Sequence, residues 1–188
     1  MQNDLVKIYK TSYDRELVRF SFIDDKRQEA RELGTYSCGN YKDNGAAISL
    51  EENLIQEIRE KANEPELFRA TYFNLPPLSE LYIHSDKNEI SRIKILYAII
   101  LPITTCKFLK LNYFSPTDIS KINVFEGPEG PTTSVPMLDK NDALLTHSFD
   151  LDNNLVINID EFHSVKNNSS TVTEEFLSLR FLKYYKKY

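Results

Sequence analysis

A chain of 188 residues with 41% apolar and 27% charged side chains can bury one core without disulfides, and its eleven Tyr and eleven Phe argue against wholesale disorder. A formal net charge of −5 argues against nucleic-acid binding, because phosphate contacts need clustered Lys and Arg. The longest apolar run, residues 95–103, is too short for a bilayer and contains Pro102, so no membrane span is expected.

The N-terminus carries no apolar leader, and Cys38 and Cys106 stand far apart. A cytosolic protein without a disulfide framework is expected. Residues 16–23 alternate Val18, Phe20 and Phe22 with polar neighbours, as in a half-buried strand. Asp24 or Asp25 caps a short helix through Leu33, which Gly34 closes. Residues 35–48 read as a loop, with Tyr36, Cys38 and Tyr41 among its glycines. Ser49-Leu-Glu-Glu52 is a capping box, and Leu50, Leu54, Ile55 and Ile58 follow helical spacing, so a helix is expected over about 50–62.

Strands at 67–73 and 78–84 are separated by Pro76 and Pro77. Residues 86–101 fit two patterns. Asp86-x-x-Glu89 caps a helix bearing Ile90, Ile93, Tyr97 and Ile100, while Ile93, Ile95, Tyr97 and Ile99 also alternate; the helix is preferred. Strands follow at 104–113 and 122–125. Gly127-Pro-Glu-Gly-Pro131, with Pro136 beyond, reads as an exposed loop at 127–136 and as the one candidate internal boundary.

Strands at 144–151 and 155–162 flank a turn. Thr171-x-x-Glu174 starts a final helix carrying Phe176, Leu179 and Tyr184, although Leu177, Leu179 and Phe181 alternate as a strand would. The lysines of 183–188 then complement the end of that helix. The expected architecture is a single α+β domain with a mixed, mostly antiparallel sheet, two to four helices and a C-terminal β-hairpin.

The five glycines form no Gly-x-Gly-x-x-Gly turn and no phosphate loop, which removes the commonest nucleotide cradles; no cofactor is expected. Residues 150–161 place Asp150, Asp152, Asn154, Asn158 and Glu161 at calcium-loop spacing. Leu155 occupies the position where such a loop needs glycine. A three-residue turn at Asp152-Asn-Asn154 instead sorts Phe149, Leu151, Leu155, Ile157 and Ile159 to one face, so the hairpin is preferred.

Cys106 in an apolar strand pattern reads as a core thiol, and Cys38 in a glycine-rich loop as the more reactive one. His84-Ser-Asp86, at a strand end, is either a turn or a catalytic pair. His84, His147 and His163 with Asp160 or Glu161 supply the types of a three-histidine metal site, without helical His-x-x-x-His spacing.

The segment Leu54-Ile-Gln-Glu-Ile-Arg-Glu60, followed by Glu64-Pro-Glu-Leu67 and strands, resembles the helix–Glu-Pro-Arg-Leu–strand segment of the baseplate wedge subunit family of contractile injection systems, with Glu66 where that family has Arg. The resemblance implies a non-enzymatic assembly subunit. The reading that follows is a cytosolic protein–protein interaction module, either an assembly subunit or an inhibitor or immunity-type binder. Tyr36, Tyr41, Glu129, Val135, Met137, Tyr184 and Tyr185 are its candidate contacts. The alternatives are a hydrolase or transferase built near His84 and Asp86 or Cys38, and a calcium-binding protein using residues 150–161.

Overall fold

Over residues 67–116 and again over 143–184, successive strands cross back and forth between two sheets, and this crossing brings distant polar residues together. The structure is a computed structural model describing residues 6–8, 22–33, 46–62, 66–86, 93–127, 130–151 and 155–184. Its elements are β1 (Val6–Ile8), α1 (Ile23–Leu33), β2 (Ala46–Ser49), α2 (Glu52–Ala62), β3 (Leu67–Leu75), β4 (Ile83–His84), β5 (Ile93–Pro102), β6 (Leu109–Pro116), β7 (Asn123–Gly127), β8 (Gly130–Leu138), β9 (Ala143–Asp150), β10 (Leu155–Ile157), β11 (Phe162–Asn167) and β12 (Glu174–Tyr184). One six-stranded sheet runs β1-β10-β5-β12-β3-β2 and the other β7-β8-β4-β11-β6-β9, with every pairing antiparallel. The α+β reading with mostly antiparallel sheet holds, with strand content dominant. The topology is of the jelly-roll type.

The central strands β5 and β12 are buried on both faces, and this explains the clearest departures from expectation. In β12, Leu177, Leu179 and Phe181 face the helices together with Phe22, Ile23, Ile55 and Ile58. Phe176 faces the other sheet among Leu75, Leu109, Leu111 and Val165. A strand apolar on both sides shows no clean alternation and mimics helical spacing. The helices expected at 86–101 and from 171 onward are therefore strands where the chain is described. β-branched Ile93, Ile95, Ile99 and Ile100 favour that outcome in β5.

The strands on either side of 152–154 also form, but not as a hairpin: β9 pairs with β6, and β10 pairs with β5 and β1. Leu151, Ile157 and Ile159, with Phe149 packed against them, do share one apolar cluster. They reach it by crossing between sheets rather than along a ladder. Most of the expected loop at 127–136 is β8, with Pro136 opposite Val124. β8 meets β4 at only two residue pairs, so its prolines withhold few ladder donors. The strand expected at 16–23 lies mostly outside the described residues.

The helices pack on the outer face of the first sheet and are tied there by charge. Arg59 Nε donates to the Leu67 carbonyl at 2.7 Å, so α2 is pinned where β3 begins. Thus Leu54 to Glu60 lie in α2 and Leu67 opens β3. Arg27 of α1 donates twice to the Glu175 carboxylate, at 2.8 Å each, and the Tyr72 hydroxyl donates to the same group at 2.5 Å. Burial alone would raise the Glu175 carboxyl, but Arg27 and Tyr72 outweigh it and hold it below the ordinary carboxylate range.

A depressed folded value contributes stability that is present above the unfolded pKa and lost as pH falls through the folded one. In thermal unfolding across pH, Glu175→Gln is therefore expected to fall well below the unsubstituted chain at neutral pH and to converge with it below about pH 4. Tyr72→Phe should cost about 1.5–3 kcal/mol, the range for a hydrogen bond to a charged group.

Candidate metal centre

β4 ends at His84, and the chain continues through Ser85 to Asp86 along the segment that leads into β11. The two stretches are laced together. The Asp86 amide donates to the Ile159 carbonyl at 2.8 Å, and Ser85 Oγ donates to the Asp160 carbonyl at 2.7 Å. His84 is the register partner of His163, so residues far apart in sequence sit on one face of adjacent strands. Their ring centroids are 4.5 Å apart at 45°. Asp86 Oδ1 lies 3.7 Å from His84 Nε2, and the ligand atoms of His84, Asp86 and His163 all fall within 4.8 Å of one another. For cis positions at metal–ligand bonds of ~2.1 Å the separation is about 3 Å, so small side-chain movements suffice to close the set on an ion.

Backbone carbonyls assign the imidazole tautomers. His84 Nδ1 contacts the Tyr82 carbonyl at 3.1 Å and His163 Nδ1 the Glu161 carbonyl at 2.9 Å. A carbonyl only accepts, so each Nδ1 carries the proton and each Nε2 keeps its lone pair. This is the second contact that orients metal-ligating histidines. Burial lowers the pKa of His84, and it brings His163 down to about 4, with His84 adding to the effect. Burial opposes ionisation of Asp86, but positive charge, first that of the Arg180 guanidinium, outweighs it and holds the carboxyl low. Neutral histidines beside an ionised carboxylate are the protonation states that metal ligands require.

The cation comes from the opposite sheet. In β12, Phe176 and Ser178 precede Arg180 on the inward face, and Arg180 Nη2 stands 3.1 Å from Asp86 Oδ2. The approach is an ion pair without a hydrogen bond: Asp86 Oδ2 accepts none, and Arg180 Nε donates none. Buried polar atoms normally find partners, so an orphaned oxygen and an orphaned nitrogen beside three candidate ligands fit a site that takes a charged guest. Two histidines and one carboxylate form the triad of mononuclear non-haem iron centres.

Of the residues singled out from sequence, His84 and Asp86 are brought together, with His163. His147 is not: it is exposed on β9, separated from His163 by Tyr113 of β6, so the three-histidine set is replaced by two histidines and Asp86. Asp160 and Glu161 serve through their backbone carbonyls. Cys106 is buried at φ 49°, and its thiol donates to the Glu175 carbonyl at 3.3 Å. That carbonyl's residue lies five positions before Arg180 along the strand, or about 17 Å.

Cys38 lies outside the described residues, as do Tyr36, Tyr41, Glu129 and Tyr185. Val135 and Met137 are half-buried in β8, and Tyr184 ends β12. Of the calcium set, Asp150 pairs with Lys110 and Asn158 Oδ1 accepts from the Asp160 amide at 2.9 Å, while Asp152 and Asn154 lie outside the described residues. Among the described residues no helix is long and apolar enough to cross a membrane.

No family model and no curated protein matches this chain. Among solved structures, a prolyl-4-hydroxylase of Pseudomonas putida is similar at a TM-score of 0.50 and 10% identity, over 94% of this chain and 91% of that one. EvdO2 of Micromonospora carbonacea var. aurantiaca, complexed with 2-oxoglutarate, is similar at a TM-score of 0.48 and 12% identity, over 85% and 80% of the two chains. The first likeness establishes a shared fold. The expectation of a non-enzymatic assembly subunit, inhibitor or immunity-type binder is overturned, because this fold is one a hydroxylase uses and here it gathers a buried histidine–aspartate–histidine cluster. The alternative placed at His84 and Asp86 is the one the geometry favours.

Iron(II) or manganese(II), added without oxygen, is expected to stabilise the protein against thermal unfolding by about 2.7 kcal/mol at one hundred times Kd. His84→Ala and His163→Ala should each remove that shift. Identical melting curves with and without millimolar metal would dismiss the centre.

Proposed function

We propose that this protein is a mononuclear non-haem iron(II) oxygenase that consumes molecular oxygen and a dicarboxylic 2-oxo acid such as 2-oxoglutarate. His84, Asp86 and His163 hold the metal, and Arg180 holds the co-substrate. The observation that carries the reading is the convergence of His84-Ser-Asp86 with His163, each group in its ligating protonation state. The bound metal supplies the site at which oxygen is activated.

The chain's own residues do the rest. The Tyr82 and Glu161 carbonyls aim the two imidazoles. The interface between the sheets excludes water, since His84, Asp86 and His163 are 8%, 6% and 5% exposed. Charge balance selects the co-substrate. Asp86 and Arg180 cancel, a divalent ion leaves two positive charges, and a dianion neutralises them in a low-dielectric setting where imbalance is costly. Ser178, two residues before Arg180 on the same face and 5% exposed, lends a hydroxyl to the same anion. A reducing, cytosolic setting belongs to this reading, since it suits two widely separated cysteines and keeps iron ferrous.

With iron(II) and 2-oxoglutarate, the purified protein is expected to release carbon dioxide and take up oxygen even before its substrate is identified. His84→Ala and His163→Ala should lower that rate by about 100-fold or more. Arg180→Met should raise the KM for the 2-oxo acid by about 10–100-fold, the equivalent of one charged hydrogen bond, and Arg180→Lys should recover part of it. Metal binding without decarboxylation of any 2-oxo acid would refute the proposal.

A further inference from the structure

One cross-strand row runs the full width of the second sheet: Asn123 on β7, Met137 on β8, His84 on β4, His163 on β11, Tyr113 on β6 and His147 on β9. Register partners carry their side chains on one face with Cβ atoms ~4.5–5.5 Å apart. Met137 therefore stands beside His84, on the face that carries both histidine ligands. A thioether on a flexible, unbranched stem reaches across such a spacing. Met137 is half-buried, whereas Tyr113, on the other flank, is 1% exposed and donates its hydroxyl to the Asn158 carbonyl at 3.0 Å. Of the two cross-strand neighbours of the histidine pair, Met137 is the less buried, and its thioether is more readily oxidised than the phenol of Tyr82, whose ring lies 4.6 Å from that of His84.

We infer that Met137 is a self-oxidation site: when oxygen is consumed with no substrate bound, its thioether takes the oxygen atom the substrate would have received. The inference rests on the oxygenase reading above. The step balances. One atom of oxygen enters the carboxylate formed when the 2-oxo acid loses carbon dioxide, and the other forms the sulfoxide. Oxygen gains four electrons, two from the 2-oxo acid and two from sulfur. The product is a polar, chiral side chain where an apolar one lined the site, and reductases of methionine sulfoxide can reverse it. Met137 would then both record and restrain unproductive turnover.

The chain has only two methionines, Met1 and Met137, which makes a direct test available. Protein loaded with iron(II) and given 2-oxoglutarate and ¹⁸O-labelled oxygen is digested and mapped by mass spectrometry. A labelled oxygen confined to the Met137 peptide, dependent on the 2-oxo acid and lost in His84→Ala, is the expected result. Equal oxidation of Met1 and Met137 would show diffusing oxidants and overturn the assignment. So would 2-oxoglutarate consumption over hundreds of turnovers with Met137 unchanged.

A second readout needs no turnover. In protein carrying ¹³C-methyl methionine, the signal lost in Met137→Leu should broaden when iron(II) is added without oxygen. A sharp, unshifted signal with metal bound would remove Met137 from the site. Broadening without 2-oxoglutarate consumption would instead defeat the oxygenase reading, and self-oxidation with it.

Discussion

Asp86 is ionised and 6% exposed, and a charge so placed costs several kcal/mol unless opposite charge meets it. The charge that meets it comes from the other sheet, in Arg180. Much of the arrangement depends on that need. The sheets must face each other in a register that sets Arg180 over the end of β4, and β12 must turn a guanidinium inward on a face otherwise occupied by Phe176 and Ser178. The contact satisfies charge without satisfying every hydrogen bond, and the shortfall lies on Asp86 Oδ2, the oxygen nearest Arg180, and on Arg180 Nε.

The two sheets divide the work. The second carries all three candidate ligands, and the short strand β4 is sufficient because its neighbour β11 supplies the partner histidine in register. The first sheet supplies the cation and, on its outer face, bears the helices, with Arg27, Tyr72 and Glu175 binding α1 to it. Away from the centre the space between the sheets closes on apolar side chains, among them a stacked pair, Phe73 and Phe176, with centroids 4.8 Å apart. Rigid packing there is what gives a site near the sheet ends fixed distances.

Much of the scaffold was legible locally. The helix of residues 52–62 announced itself by apolar spacing, although Ser49, read as its cap, ends β2 and the helix starts at Glu52, and the strand from 67 was set off by Pro65 and the Pro76–Pro77 pair. Strands β5 and β12 were harder, because burial on both faces erases the alternation that marks a strand. The hairpin at 152–154 failed for another reason. Apolar residues sorted to one side by a tight turn are equally well sorted by a crossing between two sheets that share a core, and local pattern does not distinguish the two. Of the site, His84-Ser-Asp86 was visible as a strand-end pair. Arg180 was missed, although a charged residue on the inward face of an apolar strand is a signal that alternation in 176–181 contains.

By itself the sequence determined the composition of this protein: an acidic chain rich in aromatics, without a nucleotide cradle, with a helix over 52–62 and several strands that follow from neighbouring residues. It also determined that His84 and Asp86 travel together, since two residues along an extended chain stay close whatever the fold. Only the tertiary structure decided that His163 joins them, that His147 does not, and that Arg180 faces all three. Those choices depend on strand register and on which sheet each strand enters. Both are fixed by burying apolar faces against partners far away in the chain, and no short window of residues contains that information.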